Sequence, residues 1–450
     1  MVGKYKAYPE YKNTNDKFIN VIPKHWNIYA VKHIGRLNGG SGFPIDEQGK
    51  EYEELPFFKV NALSQADAKN NLQAKNDTIS YTTAKKLNAY IFKPNSIVFA
   101  KVGAALLLGR IRKIKYKACL DNNMMGVEIF CSDYDNDFIF YSMNLVRFDY
   151  IVNSGTIPSV NEFQIGNVYL SIPPIAEQKQ IANFLDYETA KIDTLIKKQH
   201  QLIKLLEEKR KTVISHAVTK GLNPNVSMKD SGVEWLGEIP EHWLSVGFKK
   251  YLNPIVDYRG KTPEKVEDGI FLVTARNIKE GKINYSLSHE FIKEVDYKDI
   301  MRRGIPKIGD VIFTTEAPLG EVANIDNENI ALAQRIIKFR GKDQIVDNYY
   351  LKYFIMSDQF QQGLNTYATG STAQGIKAER LGYLFLLIPP YKEQSNIVNY
   401  LDLEILKLNQ LMVKANQVIE LLKERRTALI SAAVTGKIDV RDWQAPTITV

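Results

Sequence analysis

The chain has 450 residues, 44% of them hydrophobic and 24% charged, and carries a net charge of +8. That is the make-up of a globular protein of two to four domains, and the basic excess tilts its partners toward polyanions such as nucleic acid. Cys119 and Cys131 have no Cys-x-x-Cys spacing, so a zinc site of the usual kind and a disulfide framework are both excluded, and no apolar run approaches the roughly 18 residues of a membrane span.

The opening stretch, MVGKYKAYPEYKNTND, lacks the apolar core of a signal peptide, so the expected location is the cytoplasm. The first punctuated element is Ile22-Pro23-Lys24-His25-Trp26. Short strand-like runs follow at 97–100 (IVFA) and 127–130 (VEIF). The stretch IPPIAEQKQIANFLD at 172–186 then opens a helix predicted over 176–219.

After that helix the plan starts again. Ile239-Pro240-Glu241-His242-Trp243 repeats the first element. KPNSIVF at 93–99 returns as KIGDVIF at 307–313, and further strand-like runs lie at 311–315 (VIFTT) and 335–339 (RIIKF). IPPYKEQSNIVNYLD at 388–402 matches the earlier Pro-Pro stretch at nine of fifteen positions and opens a helix predicted over 392–435. The helix tails LLEEKRKTVISHAVT (205–219) and LLKERRTALISAAVT (421–435) match as well. Four elements thus keep one offset near 216 residues, which points to two tandem copies of a mixed α/β head followed by a long helix.

Pro174 and Pro390 stand just before their helices, where a missing N–H costs little, and Pro173 and Pro389 hold the preceding residue extended. Glu177 and Glu393 in the first turn favour the helix dipole. Apolar residues at spacings of three and four predict a coiled-coil seam. It runs through Leu185, Ile192, Ile196, Leu202, Leu206, Val213 and Ala217, with Gln199 in its middle, and through Leu401, Leu408, Leu411, Ala415, Ile419, Leu422, Leu429 and Ala433. Forty-four helical residues span about 66 Å. A first helix that leads away from one head and a second that returns would place the heads at the two ends of an antiparallel pair.

The two Pro-Pro stretches, the two helix tails, the Ile-Pro-x-His-Trp elements and their order together resemble the DNA-specificity subunit of Type I restriction–modification systems over essentially the whole chain. The resemblance implies an α+β protein. Target-recognition domains at 1–171 and 223–387 would be joined by conserved spacer helices at 172–222 and 388–450, as a pseudo-two-fold antiparallel coiled coil. It also implies double-stranded DNA as ligand, with each head reading half of a bipartite site. Because the heads diverge outside the shared elements, that site is expected to be asymmetric. The implied partners are two modification subunits that bind S-adenosylmethionine and methylate adenine, and restriction subunits that use ATP and Mg. No cofactor is expected in this chain.

Candidate DNA-contacting residues follow from side-chain chemistry. In the first head, Arg110 and Arg112 share one face of a basic strand and suit phosphates; a solvated strand edge would look the same. Lys59 and Asn61 follow a strand-like run, and Lys101 follows another. Thr156 and Ser159 lie in a loop whose small hydroxyl residues suit phosphate binding, or equally a tight turn with a helix cap. In the second head the loop 257–263 offers Arg259, Lys261 and Thr262. Arg276 and Asn277 are the types that pair bidentately with guanine and adenine. Ser371, Thr372, Gln374 and Lys377 complete the set.

Catalysis is not expected. IPPY resembles the polar-Pro-Pro-aromatic loop of amino-methyltransferases, but Ile388 takes the polar position needed to hold a flipped base's amino group. The Gly-Lys-Thr at 260–262 resembles the end of a phosphate-binding loop, yet Ile255 stands where that loop needs glycine. A two-headed scaffold binding proteins rather than DNA is the alternative reading.

Overall fold

The computed structural model describes residues 5–446 apart from 68, 74–76, 131, 132, 154, 156, 259, 261 and 371–373. The chain forms two compact units, residues 1–198 with 418–450, and residues 199–417. The division falls inside the two long helices, Ile175–Lys220 and Tyr391–Val434. No described helix is long and apolar enough to cross a membrane.

Both heads are built on the same strand order. In the first, an antiparallel sheet runs Gly35–Gly39, Met124–Ile129, Ile97–Ala100, Ile111–Lys113. Beside it Leu55–Phe58 pairs antiparallel with Thr78–Ile79 and parallel with Cys119–Leu120. The second head repeats this as Val256–Asp257, Ile336–Phe339, Val311–Thr315, Leu319–Asn324. Its smaller sheet places Ile270–Val273 between Phe291–Ile292 and the parallel Ile330–Leu332. Ile97–Ala100 and Val311–Thr315 lie inside their sheets and every residue of each is buried. This is why IVFA and VIFTT read as continuous runs rather than an alternation.

The repeated fifteen-residue stretch is a clamp between head and helix. Gln178 and Gln394 are fully buried. The Gln178 amide donates to the carbonyls of Asp133 (3.0 Å) and Pro173 (2.9 Å) and accepts from the Asp135 N–H (2.8 Å). Gln394 does the same with Ile345 (2.8 Å), Pro389 (2.9 Å) and Asp347 (2.8 Å). Asp135 and Asp347 in turn cap the helices Asn136–Met143 and Asn348–Met356. From those helices Tyr141 donates to Asp186 at 2.6 Å and Tyr353 donates to Asp402. Asp186 and Asp402 are the last residues of the two repeated stretches.

Glu177 and Glu393 do more than favour a helix dipole. Glu177 accepts from Trp26 Nε1 (2.9 Å) and Tyr8 Oη (2.5 Å) and bonds His25 Nε2 (2.8 Å). Glu393 bonds His242 Nε2 at 2.8 Å, while the buried Trp243 Nε1 has no hydrogen-bond partner among the described residues. Trp26 and Trp243 are wholly buried packing anchors. Two residues past the end of the second helix stands Gly436, whose φ of +70° and closeness to Pro23 leave no room for a Cβ.

Within each unit the start of one long helix packs beside the end of the other. Ile192 joins Leu429, Ile430 and Ala433 in the first unit, where Arg426 Nε donates to Asp193 at 3.0 Å. In the second, Ile214, Ala217 and Val218 share a core with Ile397, Leu401 and Ile405. Two expected seam positions are corrected: Leu202 and Leu411 are 42% and 48% exposed. A 3.5-residue apolar spacing wide enough to include them slips off the buried stripe of a 3.6-residue helix.

Candidate nucleic-acid interface

In the first head the turn that carries Asn61, the residue Lys101 and the residue Ser159, from scattered parts of the sequence, meet at one end of its sheets. There Gly35–Gly39, Leu55–Phe58, Ile97–Ala100 and Cys119–Leu120 all finish and Met124–Ile129 begins. The loop Asp121–Asn123 sits at the centre. Its Asp121 N–H donates to Phe58 O (2.9 Å), which leads into the turn Val60–Ser64. Asn123 O accepts from Lys101 N–H (2.8 Å), and Lys101 O accepts from Val160 N–H (2.9 Å). Ser159 bridges to Val102.

The second head repeats these bonds with other side chains. Val273 O accepts from Ala333 N–H (2.9 Å), Arg335 O accepts from Thr315 N–H (2.9 Å), and Thr315 O accepts from Ile376 N–H (2.9 Å). Gln334 Nε2 donates to Thr262 Oγ1 at 3.2 Å, and Arg335 pairs with Glu316 at 2.9 Å. Glu316 itself bridges to Gly375, next to Gln374. Thr262, Arg276, Gln374 and Lys377 therefore border one surface, and all four are exposed.

Other candidates have their chemistry engaged elsewhere. Asn277 is wholly buried. Its Oδ1 accepts from Thr274 N–H (2.9 Å) and Oγ1 (2.8 Å), and its Nδ2 donates to Asn284 O (3.1 Å) and Ser288 O (2.9 Å). It shapes the turn that presents Arg276 and has nothing left for a base edge, which corrects the expectation. Lys59 is ion-paired with Asp77 at 2.8 Å and bonded to Gln48 at 3.1 Å, whereas Asn61 is exposed.

The expected common face of Arg110 and Arg112 divides by environment. Phe99 pairs with Ile111, so Arg110 lies at the loop end, exposed. Arg112 is half-buried and Nη1 donates to the Ile111 carbonyl at 2.8 Å. Burial, then the neighbouring Arg110 and Arg426, hold its pKa below the ordinary arginine value. The one lysine of this strand is also engaged, since Lys113 pairs with Asp137. Thr156, Arg259, Lys261, Ser371 and Thr372 lie outside the described residues.

Sequence reasoning missed the central loops, Asp121–Asn123 and 333–335. It also missed the glycine run 39–42, which passes so near the first loop that a Cβ on Gly40 would fall 2.1 Å from Asp121 O. An Asn-Asn pair directly after a strand-like run, and GGSG after another, were the available signals. In IPPY, Ile388 is buried and Pro389 O accepts from the Gln394 amide.

In each head the surface gathers amide, guanidinium and ammonium groups beside exposed backbone turns. This is equipment for hydrogen bonding to base edges and phosphates. Comparison with known proteins agrees in kind. A family model described as the Type I restriction modification DNA specificity domain matches residues 4–205 and 260–421. The MjaVIII specificity subunit of Methanocaldococcus jannaschii is 28% identical over 96% of this chain and 98% of its own length. The EcoKI specificity subunit of Escherichia coli is 20% identical over 94% and 91%. Among solved structures, a component of a type I R-M system aligns with a TM-score of 0.62 at 14% identity, covering 92% of this chain and 98% of that one. The HsdS subunit of Thermoanaerobacter tengcongensis aligns at 0.52 and 15%, covering 93% and 98%. At these identities the structural likeness speaks for the fold.

Proposed function

The chain belongs to the Type I restriction–modification DNA specificity family, with two tandem recognition domains, and from that premise we propose that each head reads one half of a bipartite, asymmetric double-stranded DNA site through its gathered loop ends. The observation that carries this reading is the duplicated arrangement itself: the same bonds join the same loops in both heads, while the exposed side chains on them differ. Lys101, Arg110 and Lys377 are the phosphate contacts. Asn61, Asn122 and Asn123 in the first head, and Arg276, Gln334, Arg335 and Gln374 in the second, supply the amide and guanidinium groups that distinguish bases. Thr262 and Ser159 complete the two surfaces, and Thr156, Arg259, Lys261, Ser371 and Thr372 are candidate contacts by their side-chain chemistry alone.

The chain is the recognition component and performs no chemistry itself. The two long helices set the gap between half-sites and hold two modification subunits, which carry S-adenosylmethionine; restriction subunits with ATP and Mg join them. The assembly works in the cytoplasm.

Arg276→Ala tests the reading. Co-expressed with its modification partner, this variant is expected to lower methylation at one half-site by about tenfold or more, the worth of a bidentate guanine contact at ~1–3 kcal/mol. Unchanged methylation would remove Arg276 from the interface. Binding to DNA of any sequence should fall steeply with salt; salt-independent association would contradict a DNA-reading role.

A further inference from the structure

The two units differ at one matching place, where the second is filled and the first is hollow. In the second unit Trp235 stands three residues before the strand Glu238–Pro240. Its ring meets Tyr367 (centroids 6.1 Å apart) and Phe385 (6.5 Å). It lies against Gly363, where an added Cβ would fall 2.5 Å from the indole Nε1.

Strand register and matched bonds identify the counterparts in the first unit. Phe18 stands three residues before the strand Val21–Pro23, which pairs with Tyr11–Asn13 just as Glu238–Pro240 pairs with Met228–Asp230. Tyr169 opens the strand that Phe385 opens in the second unit. Gln164 Nε2 donates to Ile151 O (2.7 Å) where Arg380 Nη1 donates to Tyr367 O (3.1 Å).

Phe18, Ile151 and Tyr169 all line a cavity of about 830 Å³. It exists for two reasons. The helix Asp358–Tyr367 has ten residues, and the segment in its place, Phe148–Ile151, has a single turn of four. Phe18 is also 67% exposed, and its ring leans on Tyr150 at the mouth instead of filling the space. Leu145, Val168 and Val434 supply apolar wall.

The mouth is basic. Arg147 is neutralised by Asp149 (2.7 Å), and the Asp16 carboxylate accepts from the N–H groups of Phe18 and Ile19 (both 2.8 Å). Lys437 lines the cavity and is exposed, with its ammonium in no ion pair among the described residues.

We propose that this cavity receives a tryptophan side chain from a polypeptide partner, presented next to a carboxylate as Trp235 is next to Glu234. The second unit shows what shape fits such a site. An indole is large, rigid and costs little entropy to order, and the carboxylate complements Lys437. This inference is independent of how the heads treat DNA.

The test titrates a synthetic peptide with the sequence of residues 231–238, SGVEWLGE, into the full chain by calorimetry, with free indole as a second probe. The expected dissociation constant is on the order of 0.1–1 mM, and a peptide with alanine for tryptophan should bind at least about tenfold more weakly. Leu145→Trp, which fills the cavity from inside, should abolish binding. Lys437→Glu at the exposed mouth should weaken it by about threefold or more and keeps the test open if the first variant folds poorly. Peptide binding that survives both substitutions, or no binding to the unaltered chain, overturns the proposal. Indole binding as tightly as the peptide would assign the cavity to a free small aromatic molecule instead.

Discussion

The two halves of the molecule share the residues that hold head to helix and differ in the residues that face outward. Gln178 and Gln394 make the same three bonds, and Asp186 and Asp402 accept from equivalent tyrosines. At the loop ends the same backbone bonds present Lys101 and Asn123 in one head and Thr315 and Arg335 in the other. A duplicated scaffold with diverged tips can change what each tip reads without disturbing how it is mounted. Even the mounting is unequal in one respect: Glu177 takes three side-chain partners where Glu393 takes His242.

That inequality gives the largest expected effect. Glu177→Ala leaves the Trp26 indole N–H and the Tyr8 hydroxyl buried and unpaired, so it should destabilise the first unit by about 3 kcal/mol. Glu393→Ala, at a more open carboxylate that leaves only His242, should cost about 1 kcal/mol. Denaturant unfolding of both variants checks the ranking. Equal losses would mean that the extra bonds of Glu177 add nothing.

Asn277 and Asn61 sharpen the contrast between mounting and reading. Asn277→Ala removes four bonds from a buried side chain and should destabilise the second unit by about 2–3 kcal/mol. Asn61→Ala, at an exposed turn, should leave stability within about 0.5 kcal/mol and change only DNA selection. Thermal melting separates the two outcomes.

A smaller effect concerns Lys352, whose counterpart in the first unit is the buried Phe140. Burial pushes the Lys352 ammonium down to about 8; Asp402 opposes this, and Lys282 and Arg210 add to it. Between about pH 8 and the ordinary value of 10.5 the folded chain has released this proton and the unfolded chain still holds it. Stability should therefore rise with pH across that window, by about 1–2 kcal/mol for this group. Lys352→Phe should flatten the rise; an unaltered pH profile would assign it to other groups.

Much of this plan was legible in the sequence because it is written twice. The offset near 216 exposed the repeat, and Pro-Pro marked where helices begin. The seam was read too widely at Leu202 and Leu411, because apolar type alone cannot say which stripe is buried. Asn277 was misjudged for a related reason: an amide beside an exposed arginine looks like a reader until its turn folds over it. The central loops 121–123 and 333–335 gained meaning only when the sheets brought five strand ends together, a long-range fact that no local pattern encodes. The roles of Glu177, Gln178 and Asp186 were within reach, since all three are identical between the copies, but their partners in the head lie more than 40 residues away.

Each head is proposed to read its own half-site. Methylome sequencing of cells expressing the chain with its modification partner tests it, comparing the unaltered protein with an Asn122→Ala/Asn123→Ala variant and a Gln334→Ala/Arg335→Ala variant. The expected result is a bipartite methylated sequence in which the first pair of substitutions relaxes one half only and the second pair relaxes only the other. A variant that alters both halves together, or two variants that alter the same half, would contradict it.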